Sequence, residues 1–109
     1  MAGDDRPMNR QLKQMLGLAM RARKVVTGEE LVVGAIRSNQ AKLVLLATDA
    51  SANTTKKISD KCSHYAVPLY VPADRLELGA AIGKEARVTV AITDAKLAES
   101  IQHLLTPNS

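Results

Sequence analysis

Apolar residues recur at helical spacing from Met8 onward: Leu12, Met15, Leu16, Ala19 and Met20 share one face, three and four positions apart. Arg10, Lys13, Arg21 and Arg23 are left mostly for the other side, and the helix should fray near Arg23, before the β-branched pair Val25-Val26. Thr27-Gly28-Glu29-Glu30 fits a capping box, with Thr27 as N-cap and Glu30 three residues on. The helix behind it turns Leu31, Val32, Ala35 and Ile36 inward and should end near Ser38-Asn39. Leu43 to Ala47 is continuously apolar, which predicts a strand covered on both faces. Thr48 to Asn53 reads as loop, and the helix after it places Ile58, Cys62 and Tyr65 inward with Lys56, Lys57 and Lys61 outside. Val67 to Val71, with Pro68 near its start and Pro72 closing it, predicts an edge strand. Asp74 to Gly83 predicts a short helix containing Leu76, Leu78 and Ile82. In a further strand over Arg87 to Ile92, Val88, Val90 and Ile92 alternate with Thr89 and Ala91. Asp94 then caps a last helix with Leu97, Ile101 and Leu104 inward, stopped by Pro107.

Helices and strands alternate throughout, which predicts an α/β protein: a three-layer α/β/α sandwich around a central four-stranded sheet, mixed or mostly parallel. With 109 residues the chain has room for one domain. That domain is expected over residues 8–105, behind a disordered lead at 1–7 and ahead of a tail at 106–109. Met1 to Asn9 has no apolar core, so no signal peptide is expected, and no run approaches the ~20 apolar residues that cross a bilayer. A cytoplasmic location without a membrane partner is the expectation.

Charge changes the picture. The formal net charge is +4, and all of it lies in residues 1–24, which hold six basic residues against two acidic ones. Residues 25–109 hold nine of each. A localised positive patch on a small domain points to an anion or nucleic-acid partner; the plainer reading is a solvated basic helix. The chain has no Trp, no Phe and two tyrosines, Tyr65 and Tyr70, too few for the stacking platforms that grip single strands. A nucleic-acid partner should therefore be structured RNA or duplex, met through backbone and shape.

Catalytic chemistry is thin. The chain contains neither Gly-x-Gly-x-x-Gly nor a Walker-type phosphate loop, so no nucleotide cofactor is expected. Cys62 and His64 are two apart on a helix and point to different sides, and His64 and His103 fit helix C-termini. Neither a metal nor an internal disulfide is expected, and Cys62 reads as a small buried apolar residue. Three features remain: the Arg21, Arg23, Lys24 cluster; the Gly28 helix start, whose free N–H groups attract phosphate; and the polar stretch Gly83-Lys84-Glu85-Ala86-Arg87. Together at one end of the domain they would make a binding surface.

Gly28 to Asn39, the run Ala41 to Ala50, Cys62, Val67-Pro68-Leu69, Leu78 to Gly83 and Val88 to Ile92 resemble the ribosomal L7Ae type of kink-turn RNA-binding proteins. The resemblance covers about residues 10–105. Leu16-Gly17-Leu18-Ala19, Arg21 to Val26 and Gly83 to Arg87 are most similar to its bacterial YlxQ-like branch. The likeness implies an α/β/α sandwich that binds kinked, structured RNA in a ribosomal or translational setting and is not an enzyme. It places RNA contact at Gly28, Glu29, Glu30 and Gly34 and at Lys84, Glu85, Ala86 and Arg87, beside the basic Arg21, Arg23 and Lys24. The family reads sheared G·A pairs with an Asn, a Glu and a Lys after the glycine; those places hold Glu30, Leu31 and Gly34 here. Its apolar loop before the last strand is Lys84-Glu85-Ala86 here. A protein-interaction module that kept the fold without the RNA site is the alternative, with ribosomal or translation proteins as partners. A small enzyme or redox protein using Cys62 is a third. Lys56, Lys57 and Lys61 form either a second binding face or a solvated helix surface.

Overall fold

A computed structural model describes residues 8–105. The expected lead at 1–7, the tail at 106–109 and the Pro107 stop lie outside the described residues. The elements run α1 (Arg10–Arg21), β1 (Val25–Thr27), α2 (Glu29–Arg37), β2 (Leu43–Leu46), α3 (Ala52–His64), β3 (Leu69–Tyr70), α4 (Arg75–Ala81), β4 (Thr89–Ile92) and α5 (Ala95–Leu105).

The four strands form one mixed sheet in the order β1-β4-β2-β3. β4 runs antiparallel to both neighbours, with Val25 opposite Ile92 on β1 and Leu43 opposite Ile92 on β2. Only β2 and β3 are parallel, Val44 pairing with Leu69. Of the two sheet arrangements the sequence allows, mixed is the one formed; the mostly parallel one fails because β4 enters between β1 and β2 from the opposite direction. β3 is an edge strand, as its prolines require, and shrinks to two residues.

β2 and β4 are buried along their whole length, and their alternating side chains feed two cores. Leu43, Leu45, Val90 and Ile92 pack under α1, α4 and α5, against Leu12, Leu16, Leu78 and Ile101. Val44, Leu46 and Ala91 pack on the other face, against Val32 and Ile36 of α2 and Ile58 and Cys62 of α3. Each fully buried Leu or Ile here contributes about 1.5–3 kcal/mol. The period-2 pattern of Arg87 to Ile92 thus marks two apolar layers rather than one wet face.

Helix ends follow local chemistry. Asn9, Ser51, Asp74 and Asp94 accept hydrogen bonds from Leu12, Thr54, Glu77 and Leu97 N–H at 2.8, 3.1, 2.9 and 2.9 Å. Because Ser51 is a cap, α3 starts inside the expected loop. α1 to α4 share one C-terminal device, in which the second residue past the cap bonds back across five positions. The pairs are Lys24 N–H to Ala19 carbonyl, Gln40 to Ala35, Val67 to Cys62 and Lys84 to Gly79. The left-handed residue these turns need is Gly83 in α4, but Arg23, Asn39 and Ala66 in the others.

The expected capping box at Thr27 does not form. Thr27 belongs to β1, and its hydroxyl donates to the Thr89 carbonyl at 2.8 Å. Gly28 takes the N-cap place with φ 101°, a left-handed conformation open to a residue without Cβ. Leu31, expected inward, is 66% exposed, and Leu76 lies within its expected short helix on the outer side, 68% exposed.

Candidate nucleic-acid interface

β1 separates the three features whose convergence would make one binding surface. At one end of the sheet β4 begins: Gly28 N–H meets the Thr89 carbonyl at 3.4 Å, and Ala47 N–H bonds Val88 carbonyl at 2.9 Å. α2 starts at this Thr89 end. At the other end Thr93 N–H donates to the Lys24 carbonyl at 2.9 Å. The whole of β1, Val25–Thr27, lies between Lys24 and Gly28. The Gly28 helix start therefore meets the stretch before β4, while Arg21, Arg23 and Lys24 stand at the far end.

Gly28, Glu29, Ala86, Arg87, Val88 and Thr89 come together in a cleft of about 370 Å³, completed by Ser51, Thr54 and Arg75. Its rim is stitched by one guanidinium. Arg75 donates through Nε to Asp49 Oδ2 at 3.2 Å and through Nη2 to the Asp49 carbonyl at 2.7 Å. The Arg75 N–H bonds Asp49 Oδ1 at 3.0 Å, and the Arg75 carbonyl accepts from Arg87 N–H at 3.0 Å. The loop after β2, the start of α4 and the approach to β4 are thus held in register. Thr89, 1% exposed, carries a hydroxyl without a hydrogen-bond partner among the described residues.

Lys84 and Glu85 do not line that cleft. They run back along α4, where a Cβ on Gly79 would collide with the Glu85 carbonyl. Glu30 and Gly34 line a neighbouring groove of about 540 Å³ between α2 and α3, with Glu29, Arg37, Lys57, Asp60 and Lys61. Glu29 joins both. Its Oε1 accepts from Thr54 Oγ1 at 2.8 Å and its Oε2 pairs with Lys57 Nζ at 2.8 Å. The hydrogen bond from Lys57, then that from Thr54, hold the Glu29 carboxyl below its ordinary pKa; the same bond raises Lys57. Lys56 pairs with Asp60 at 3.0 Å, so two of the three α3 lysines are ion-paired. Cys62 is 2% exposed and burial pushes its thiol up to about 11, an environment for packing rather than for nucleophilic chemistry.

Arg75, Ser51, Thr54 and Thr89 were not legible as site residues. Asp49 and Arg75 lie 26 residues apart in sequence, and no local spacing links them. No helix among the described residues is long and apolar enough to cross a membrane.

Two kinds of likeness bear on this arrangement. The chain is 57% identical over 91 residues to a protein named RNA-binding protein YlxQ from Bacillus subtilis (strain 168), covering 84% of this chain and 91% of the relative. It is 44% identical over 98 residues to one of the same name from Enterococcus faecium, covering 89% and 94%. A solved structure of a protein with unknown function from Bacillus halodurans superposes with a TM-score of 0.86 at 42% identity, over 89% of this chain and 98% of that one. Residues 10–102, which carry the whole sheet and every buried core residue but Met8, match the model of the ribosomal protein L7Ae/L30e/S12e/Gadd45 family. That is a ribosomal-protein family and not an enzyme family, and this chain belongs to it, in its bacterial YlxQ-like branch.

Proposed function

We propose that this protein binds structured RNA in the cytoplasm, in a ribosomal or translational setting, and that the cleft at the Thr89 end is one of its contact surfaces. The observation that carries the reading is the meeting of the Gly28 helix start with Ala86 and Arg87 in a single cleft. A helix N-terminus offers free N–H groups and partial positive charge to a phosphate, and Arg75 and Arg87 stand on the same cleft. The two relatives named as RNA-binding proteins support the same partner.

Kink-turn recognition is the finer form of this reading. Glu30, Leu31 and Gly34 stand where the family reads G·A pairs, and each missing base-edge contact costs about 1–3 kcal/mol of discrimination. The protein should then favour a kink-turn over a regular helix only weakly, its affinity coming from backbone contacts. Binding to a ribosomal RNA fragment containing a kink-turn, and to the same fragment with its G·A pairs made Watson–Crick, tests both levels across a salt series. The expected result is a linear fall of log affinity with log salt for both RNAs, with a small gap between them. A flat salt response, or no binding at low salt, overturns the RNA reading. A nuclease-insensitive pull-down that recovers one protein in stoichiometric amount would favour a protein-interaction module instead.

A further inference from the structure

Charged residues sort by the end of the sheet. Glu29, Glu30, Asp49, Asp74 and Glu77 stand in or beside the first turns of α2 and α4, at the Thr89 end. Three ion pairs are made there: Lys57–Glu29, Arg75–Asp49 and Lys13–Glu77, at 2.8, 3.2 and 3.5 Å. Much of the basic charge at that end is already answered.

The opposite end is different. β1 and β2 start there and β4 stops, so Lys24 and Lys42 flank Thr93: Thr93 N–H donates to the Lys24 carbonyl, and Lys42 N–H to the Ile92 carbonyl at 2.7 Å. Two strand spacings separate them, on the order of 10 Å. Lys24 is in phase with Val26 and Lys42 with Val44, residues of the core under α2 and α3. Arg23 precedes Lys24 in its left-handed turn, Arg37 closes α2, and Lys96 lies in the first turn of α5. All five are exposed, and none is in an ion pair among the described residues. Lys42 Nζ donates to the Asn39 carbonyl at 3.0 Å, a neutral partner that leaves its charge uncompensated. Of the carboxylates nearest these cations, Asp94 caps α5, Asp60 on the groove that Arg37 also lines is paired with Lys56, and Glu99 lies one turn along α5 from Lys96.

A protein partner would need an apolar anchor. Leu31, Val71 and Leu76 lie toward the Thr89 end, and Leu18, in the last turn of α1, is a single exposed leucine beside the basic row rather than an apolar patch. A phosphate backbone asks only for unpaired cations at suitable intervals. We propose that the row Arg23, Lys24 and Lys42, extended by Arg37 and Lys96, is a second RNA face that grips the backbone of duplex RNA independently of the cleft at the Thr89 end. This rests on the RNA-binding reading above.

The test uses the full chain and an uninterrupted RNA duplex without bulge or internal loop, followed across a salt series. Arg23→Gln/Lys24→Gln/Lys42→Gln should bind the duplex at least tenfold more weakly at low salt, with a log–log slope smaller by about 2–3. Lys24→Arg/Lys42→Arg should bind like the wild type, since it keeps the charge that the backbone meets. Thermal melting of each variant checks that it is folded. If the folded triple variant binds the duplex as well as the wild type, the second face is overturned, and so it is if poly-glutamate displaces the duplex as well as competing RNA does. Wild-type protein that binds no RNA at any salt overturns the RNA reading itself. Wild-type protein that binds a folded ribosomal RNA fragment through the cleft alone overturns only the second face.

Discussion

Gly34 stands on the exposed side of α2 with nothing within 4 Å of where a Cβ would sit. A helix-interior glycine costs roughly 0.7 kcal/mol relative to lysine, and Glu30 lies one turn upstream to pair with a cation. Gly34→Lys should therefore stabilise the protein by about 0.5–1 kcal/mol in a urea titration. It should also tighten RNA binding and steepen the salt slope by about 1; a destabilised variant would show that the groove is not open there. Cys62 makes the opposite kind of site. Its raised pKa means that the fold holds the neutral thiol, so its contribution is complete below the ordinary thiol value of about 8.5. As pH climbs toward about 11 the unfolded chain ionises first and stability falls. Urea midpoints at rising alkaline pH should drop less in Cys62→Ala than in the wild type, and native Cys62 should resist thiol reagents at neutral pH.

Loops are positioned by the helices beneath them. Residues 84–87 lie along α4, with Lys84 N–H on the Gly79 carbonyl at 2.9 Å and Arg87 N–H on the Arg75 carbonyl at 3.0 Å. The close approach at Gly79 leaves no room for a side chain. Gly79→Ala should cost about 1–3 kcal/mol and abolish hydrogen-exchange protection at the Lys84 amide, measured against the wild type. Sequence pattern read the apolar faces of α1, α3 and α5 and the Asp94 cap directly, because those depend on residues within a turn or two. Thr27 shows where such reasoning stops. Its spacing to Glu30 suits a capping box, yet pairing of β1 with β4 commits its hydroxyl to Thr89, a residue distant in sequence. Leu31 is another such case: its apolar neighbours suggest burial, yet the start of α2 leaves it 66% exposed.

Two cores share β2 and β4, so neither can open alone. Leu45 packs under α1, α4 and α5, and its neighbour Leu46 packs under α2 and α3. Leu45→Ala and Leu46→Ala should each destabilise by about 2–5 kcal/mol. Both should shift one common transition, seen alike by probes on either face; two separate transitions would refute the coupling. Charge is a property of this same scale. The +4 concentrated at the start of the chain reaches the Thr93 end of the sheet through Arg23 and Lys24, where Lys42 joins from a different element.

Hydrophobic period, caps and breakers determined the order of helices and strands, the three layers and the apolar membership of the cores, since each depends on short-range spacing and burial. The run Gly83 to Arg87 and the glycine at position 28 already marked two pieces of a candidate site. Only the tertiary structure decided which pieces meet. By inserting antiparallel between β1 and β2, β4 brings Gly28 to Arg87 and sends Lys24 to the other end beside Lys42. Strand pairing depends on contacts between residues remote in the chain, and no local spacing carries that information.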